Sequence, residues 1–406
     1  MQLQLFHSYV NDEILEDLFE AYYGCRKNKR NTPNAVKFEM EYEKNLFQLY
    51  DELIYGQYEI GRSTAFIVKR PVKREIFAAD FRDRVVHHYL IKKLNPLFEE
   101  LFINNSFACR EGRGGHFGIR TIVDLIEKES MNYKMKAFIL KLDVQGFFMN
   151  IDRKLLFDRL VKFINEKYLG MDKSLILYLV DLIVNNDSTF KCIVKGKFID
   201  WADLPNNKSL FHTPDGCGLP IGNYTSQVFA NFYLHILDEF VTEKLGVRSY
   251  GRYVDDFVLV HTNKKVLVNA VREIEKFLKE ELNLMLHPQK RYLQEAGKGV
   301  EFLGVFIKPN RVYIGSRIKN GFYESIRDVN KMMGDGVSGD NILHLIQSFN
   351  SYLGMMVHYS TFRLRKKLIF KNLDKRWWKY VYLSRDVSKF IVRKRYKQSL
   401  LASLHK

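Results

Sequence analysis

Tyr253-Val254-Asp255-Asp256 decides how this chain is read. Ser249-Tyr250-Gly251-Arg252 leads in and Phe257-Val258-Leu259-Val260 leads out, both apolar and β-prone. The pattern predicts a strand, a tight turn and a second strand, with two acids at the tip. Adjacent carboxylates repel, and Asp is depleted in strands. An ordinary acidic hairpin turn is the competing explanation. A divalent cation turns the repulsion into attraction, because hard cations take carboxylate and phosphate oxygens.

A second carboxylate supports the cation. Phe138-Ile139-Leu140-Lys141-Leu142-Asp143 is a short apolar run ending in an acid, and Val144-Gln145-Gly146-Phe147-Phe148 follows. A strand that ends in Asp and breaks at Gly146 delivers a carboxylate to a sheet edge. Asp143, Asp255 and Asp256 together suit two Mg²⁺ ions, with Mn²⁺ able to substitute. One ion would activate an attacking 3′-hydroxyl and the other would stabilise a leaving pyrophosphate.

Composition points the same way. The chain has 406 residues and is 46% hydrophobic, enough for two or three packed subdomains. Its 64 Lys and Arg outnumber 47 Asp and Glu, so the net charge is +17. Such an excess suits a polyanionic partner. Thr361 to Lys406 alone holds fifteen basic residues and two Asp, a net of +13. Four cysteines (Cys25, Cys109, Cys192, Cys217) form no CxxC pair, which suits a reducing compartment. The first residues lack a basic region followed by an apolar core, and no apolar run reaches the ~20 residues of a membrane span. A cytoplasmic protein without a membrane partner is the expectation.

Along the chain, helices are predicted from Asn11, which with Asp12 is placed to cap the first, and from about Asn34 to Leu53. A basic break at Arg26 to Asn31 separates them. Thr64 to Val68 reads as a strand, and a basic segment with Lys69, Arg70 and Arg74 follows. Residues 105–116, with Arg110, Arg113 and several glycines, form a turn before a helix at Gly118 to Lys128. Asp152 to Val184 is helical, and residues 185–217 read as a hairpin or extended loop. A helix from about Thr225 carries Val228, Phe229, Phe232, Tyr233, Ile236 and Leu237 at core spacing. Lys264 to Leu282 is amphipathic, and Asn341 to Tyr359 is a helix. Arg363 to Leu368 and Arg376 to Lys379 interleave bases with aromatics, a pattern that suits phosphate tracking with stacking. His87 and His88 read as packing or capping residues, with no third ligand spaced near them.

Three of these stretches carry a family resemblance. Asp143 with Phe148 five positions on, then Gly218-Leu219-Pro220-Ile221-Gly222-Asn223-Tyr224-Thr225-Ser226-Gln227, then Tyr253-Val254-Asp255-Asp256, resemble motifs A, B and C of reverse transcriptases in order and spacing. The resemblance implies an α+β right-hand polymerase that makes DNA on an RNA template. It implies N-terminal helices and fingers in residues 1–136, a palm with an antiparallel sheet in 137–309, an insertion near 185–217, and a helical basic thumb and tail in 310–406. It places Val144 beside the three Asp at the metals. Phe148 becomes the steric gate that refuses a 2′-hydroxyl, so dNTPs are the expected substrates. Arg74, with Lys69 and Arg70, would hold the triphosphate, and Ile221 and Gln227 would face the nucleotide. Lys290 would donate a proton to the pyrophosphate, and Val300 to Ile307 would grip the primer. Tyr253, Arg110, Arg113, Arg363, Arg365, Lys366 and Lys367 would contact template RNA, primer or cDNA.

Within the group II intron and retron-like bacterial enzymes, Ile221 and Gln227 stand where most relatives carry Gln and Pro. That form, with the preceding Leu204 to Phe211 element, is similar to reverse transcriptases of diversity-generating retroelements. The likeness implies cDNA synthesis from a template-repeat RNA, errors opposite adenine, diversification of a target gene and a small basic accessory protein. A retron or phage-defence reverse transcriptase with its own noncoding RNA shares the core. A non-catalytic RNA-binding protein on a polymerase scaffold would not need the three Asp and Phe148 together.

Overall fold

The computed structural model describes residues 12–27, 32–69, 72–335, 339–394 and 396. Two compact units divide between Gln294 and Glu295. In the first, α1 (Asp12–Arg26), α2 (Pro33–Glu39) and α3 (Tyr42–Ile54) precede the strands β1 (Thr64–Val68) and β2 (Arg74–Ala78). Helices α4 (Phe81–Leu101) and α5 (Gly115–Glu129) lead to β3 (Phe138–Asp143), the short α6 (Phe147–Asn150), α7 (Arg153–Lys167) and α8 (Lys173–Asn185). Then come β4 (Ile193–Val194), α9 (Tyr224–Glu239), β5 (Tyr250–Tyr253), β6 (Asp256–His261), α10 (Lys264–Leu282) and β7 (Tyr292–Glu295).

The central sheet has the order β5-β6-β3-β7, with β3 and β5 both antiparallel to β6. Its apolar faces are covered because the helices above it are patterned to cover them. Helix α10 buries Leu267, Ala270, Ile274, Leu278 and Leu282, one stripe at helical spacing. Asn263 caps its start by accepting from Lys265 N–H at 2.9 Å, and Asn283 ends it in a left-handed conformation. Helix α9 is buried on nearly every side, which explains its lack of a polar face. Val228, Phe229, Phe232, Tyr233 and Leu237 are core, and Ile236 packs against it. A smaller sheet, β2-β1-β4, is antiparallel between β1 and β2 and parallel between β1 and β4.

Several boundaries differ from the sequence pattern. The single helix expected from Asn34 is two, because the chain leaves helical geometry at Glu41 (φ −134°). Arg26 and Lys27 of the basic break are described, and Asn28 to Asn31 lie outside the described residues, as does Asn11. Residues 185–217 form no hairpin of their own. They lend β4 to the smaller sheet and otherwise run through short 3₁₀ turns.

The second unit carries β8 (Val300–Phe302), β9 (Val305–Lys308) and β10 (Arg311–Ile314) as one antiparallel sheet. Three helices follow, α11 (Ser316–Asp335), α12 (Gly339–Met356) and α13 (Phe362–Asn372), then the hairpin β11 (Val381–Leu383) and β12 (Phe390–Val392). This last hairpin adds two strands to the stretch that the sequence suggests is a helical basic thumb and a tail. Trp377 is fully buried beside Phe349 and Phe390, and Trp378 stacks on Phe370 at 5.5 Å. The aromatics expected to stack on nucleic acid are therefore packing a core. No helix among the described residues is long and apolar enough to cross a membrane.

Candidate active site

Strands β5 and β6 meet through a two-residue turn, Val254-Asp255, closed by the pair Tyr253 and Asp256. Val254 has φ +56°, which a β-branched residue adopts only under constraint. The constraint is visible. Arg252 Nη1 donates to the Val254 carbonyl at 3.0 Å, and Val144 N–H donates to the Asp255 carbonyl at 3.2 Å.

Asp143 ends β3 directly opposite Asp256 on β6. Opposed residues in antiparallel strands bring their Cβ atoms to about 4.5–5.5 Å. A third segment closes the site. Gln145 N–H donates to the Met285 carbonyl and His287 N–H to the Asp143 carbonyl, both at 2.8 Å. That pairing delivers Lys290, whose Nζ lies 2.9 Å from both carboxylate oxygens of Asp143. On the other side, Lys141 Nζ is 3.2 Å from Asp256 Oδ2, while Asp256 Oδ1 is buried without a hydrogen-bond partner.

The electrostatics of the site are set first by burial. Burial pushes the Asp255 carboxyl up to about 6, Asp143 adds to the shift, and Lys290 and Arg74 pull against it. Burial pushes Asp256 up to about 7, partly countered by Lys141. Half-buried acids with raised pKa and an orphaned oxygen form a donor set that suits a hard cation. As the side chains stand, no three such ligands among the described residues converge on one point. Lys290 and Lys141 occupy two of the carboxylates instead.

Around this centre, Phe148 and Ile221 share one apolar cluster with Ala65, Phe77, Met149 and Leu210. Phe77 N–H donates to the Ile221 carbonyl at 2.9 Å, so β2 holds that loop. Arg74 is exposed at the start of β2, and its charge reaches both Asp255 and Tyr253. Lys69 is paired with Asp200 at 2.7 Å, and Arg70 lies outside the described residues. Gln227 is exposed and accepts from Cys109 Sγ at 3.0 Å. Val144 is buried, and its backbone bridges Leu286.

Two expected phosphate contacts are revised. Arg110 is buried, and its guanidinium bonds Glu99 and the carbonyls of Ile103 and Ser106. It builds its loop rather than facing a ligand. Arg365 is also buried and donates to the Asp386 and Val387 carbonyls. Arg363, Lys366 and Lys367 remain exposed on α13. Arg113 is half-buried, bonded to Asn104 and set over the Phe117 ring. His87 is buried and held neutral, with burial pushing it down to about 3, and His88 packs at a tilt against Tyr224, ring centroids 4.9 Å apart.

Sequence reasoning missed a buried network. Arg252, fully buried, pairs with Asp238 and also donates to Asn231 Oδ1 and Ser106 Oγ. A lone charge in an apolar strand and another on an apolar helix were its only signal.

A model of the family described as "Reverse transcriptase (RNA-dependent DNA polymerase)" matches residues 70–307. Protein YkfC of Escherichia coli is 23% identical over 294 residues, covering 63% of this chain and 69% of YkfC. The group II intron-encoded protein LtrA of Lactococcus lactis is 23% identical over 268 residues, covering 63% of this chain and 39% of LtrA. The chain thus spans well under half of LtrA's length. Telomerase from Candida albicans is a structural neighbour at 13% identity and TM-score 0.45, covering 78% of this chain and 57% of its own.

Proposed function

This chain belongs to the reverse transcriptase (RNA-dependent DNA polymerase) family, and from that premise we propose that it is an RNA-directed DNA polymerase using template RNA, a primer and dNTPs. The observation that carries the reading is Asp143 set opposite Asp256, with Asp255 at the strained turn and one buried oxygen unpaired. Asp143, Asp255, Asp256 and the backbone of Val144 would hold two Mg²⁺ ions. When bound, such ions lower the pKa of the attacking hydroxyl and neutralise the leaving pyrophosphate.

The chain's own residues supply the rest. Arg74, with Lys69 and Arg70, offers cations to a triphosphate. Lys290 exchanges its hold on Asp143 for a proton donor's role at the pyrophosphate. Phe148 fills the space that a 2′-hydroxyl would need. In the same reading residues 1–136 are helices and fingers, 137–309 the palm, and 310–406 the thumb and tail, with Arg113, Tyr253, Arg363, Lys366 and Lys367 toward nucleic acid.

The finer reading is a diversity-generating enzyme that is error-prone opposite adenine and works with a small basic accessory protein. The Ile221 to Gln227 form and the Leu204 to Phe211 element support it, since an Ile cannot hydrogen-bond where a Gln can. Primer extension on a defined adenine-containing RNA, followed by cDNA sequencing, tests both levels. Extension that disappears in Asp255→Asn and in EDTA is expected. Errors concentrated at adenine support the finer reading. Faithful cDNA, with and without a neighbouring protein, would move the chain to a retron or defence role.

A further inference from the structure

Glu75 is a buried side chain, 1% exposed, the second residue of β2. Among the described residues it has no salt bridge. Its three hydrogen bonds all come from one distant segment: Trp201 Nε1 at 2.7 Å, Ser209 Oγ at 2.8 Å and Leu210 N–H at 2.5 Å. A buried carboxyl needs hydrogen-bond partners, and here one segment supplies all three, so Glu75 ties that segment to β2.

The position joins the parts of the nucleotide pocket. Arg74 precedes Glu75, and Ile76 and Phe77 follow it. Phe77 N–H holds the Ile221 carbonyl, and a Cβ added at Gly222 would lie 2.8 Å from Ile76 and 3.0 Å from the Phe77 carbonyl. Leu210, which Glu75 fixes through its backbone, packs in the same cluster as Phe148 and Ile221. The same segment reaches the turn after Asp143, where a Cβ added at Gly146 would lie 3.1 Å from the Asn207 carbonyl.

We propose that the 198–212 segment is a wall of the nucleotide pocket and that Glu75 is the positioning residue that holds it there, setting which nucleotides are accepted. This rests on the polymerase reading above. Loosening Glu75 lets Leu210 and Trp201 shift, and Phe148 and Ile221, which pack on them, lose their fixed place. Ribose and base selection then relax, while the carboxylates of β3 and β6 stay where they are.

The test is single-nucleotide primer extension by the full chain with Glu75→Gln, Glu75→Ala, Ser209→Ala and Trp201→Phe. The readout is the ratio of kcat/KM for the matched dNTP to that for the matched rNTP and for mismatched dNTPs. Gln keeps one acceptor oxygen but turns an NH₂ group toward a donor, so a partial loss is expected. Ala should lower the ratios by about tenfold or more, mainly through KM. Ser209→Ala and Trp201→Phe each remove one donor, and they decide the matter if Glu75→Ala does not fold. Wild-type ratios in these variants, with only a lowered Tm, would overturn the proposal. A wild-type chain that extends no primer would overturn the polymerase reading and this inference together.

Discussion

Arg252 and Asp238 form a fully buried ion pair, with Nε 2.6 Å from Oδ1 and Nη2 2.5 Å from Oδ2. The pair links β5 to α9, and its spare nitrogen holds the Val254 carbonyl at 3.0 Å. It therefore stabilises the strained turn that carries Asp255. Removing one partner leaves a buried charge alone, which costs about 3–5 kcal/mol. Arg252→Met and Asp238→Ala should each lower unfolding stability by that order in urea melts. Lys154→Ala, which breaks an exposed pair with Asp158, should cost under about 1 kcal/mol. Equal effects would remove the structural role given to Arg252.

The two raised carboxyls set a pH dependence. Folded, metal-free protein retains protons on Asp255 up to about 6 and on Asp256 up to about 7. Unfolded carboxyls release theirs near 4. Between those values the unfolded state binds fewer protons, so stability falls as pH rises. Thermal melts in EDTA should show Tm dropping from about pH 4 to 7 at these two positions, a slope that Asp255→Asn with Asp256→Asn flattens. Added Mg²⁺ should restore Tm at pH 7 and release protons. A flat profile in the wild type would contradict the crowding of the site.

Lys290 is more than half exposed and bridges both oxygens of Asp143. Exposed pairs add little stability, so Lys290→Ala should leave Tm nearly unchanged. As a proton donor it should matter for turnover, with kcat falling about a hundredfold or more. Lys290→Arg, a poor acid at neutral pH, should behave like Ala in rapid-quench assays. A variant with wild-type kcat would leave Lys290 as a carboxylate clamp only.

Phe148 is half-buried between the main core and the Leu210 cluster. If Phe148 is the proposed gate, Phe148→Ala should raise rNTP incorporation by about a hundredfold relative to dNTP. Some loss of stability accompanies it, because the ring packs at 5.4 Å against Phe147. Unchanged sugar selection would deny Phe148 the gate.

Ile221 has a backbone fixed by Phe77 and a side chain in the apolar cluster. In the proposed role beside the nascent pair, Ile221→Gln adds a hydrogen-bonding group there. Misincorporation opposite adenine should fall by about tenfold, read by cDNA sequencing. An unchanged error spectrum would sink the link between this position and fidelity.

What the chain alone determined is what short-range pattern controls. The short continuous apolar runs around Asp143 and Tyr253, bounded by turn signals, specify buried strands. The stripe from Leu267 to Leu282 specifies α10 for the matching helical reason. Acids at strand ends and a glycine at Gly146 are local signals too, so the candidate catalytic residues were legible. Tertiary structure decided where each charge and ring ended up. Arg110 and Arg365 turned inward to carbonyls, and Trp377 became core. Asp238 lies 14 residues from the Arg252 it neutralises, and Glu75 lies 126 residues from Trp201. A basic or aromatic side chain meets water or another element according to partners that distant. Burial then fixes its charge state and its role, and no local pattern carries that information.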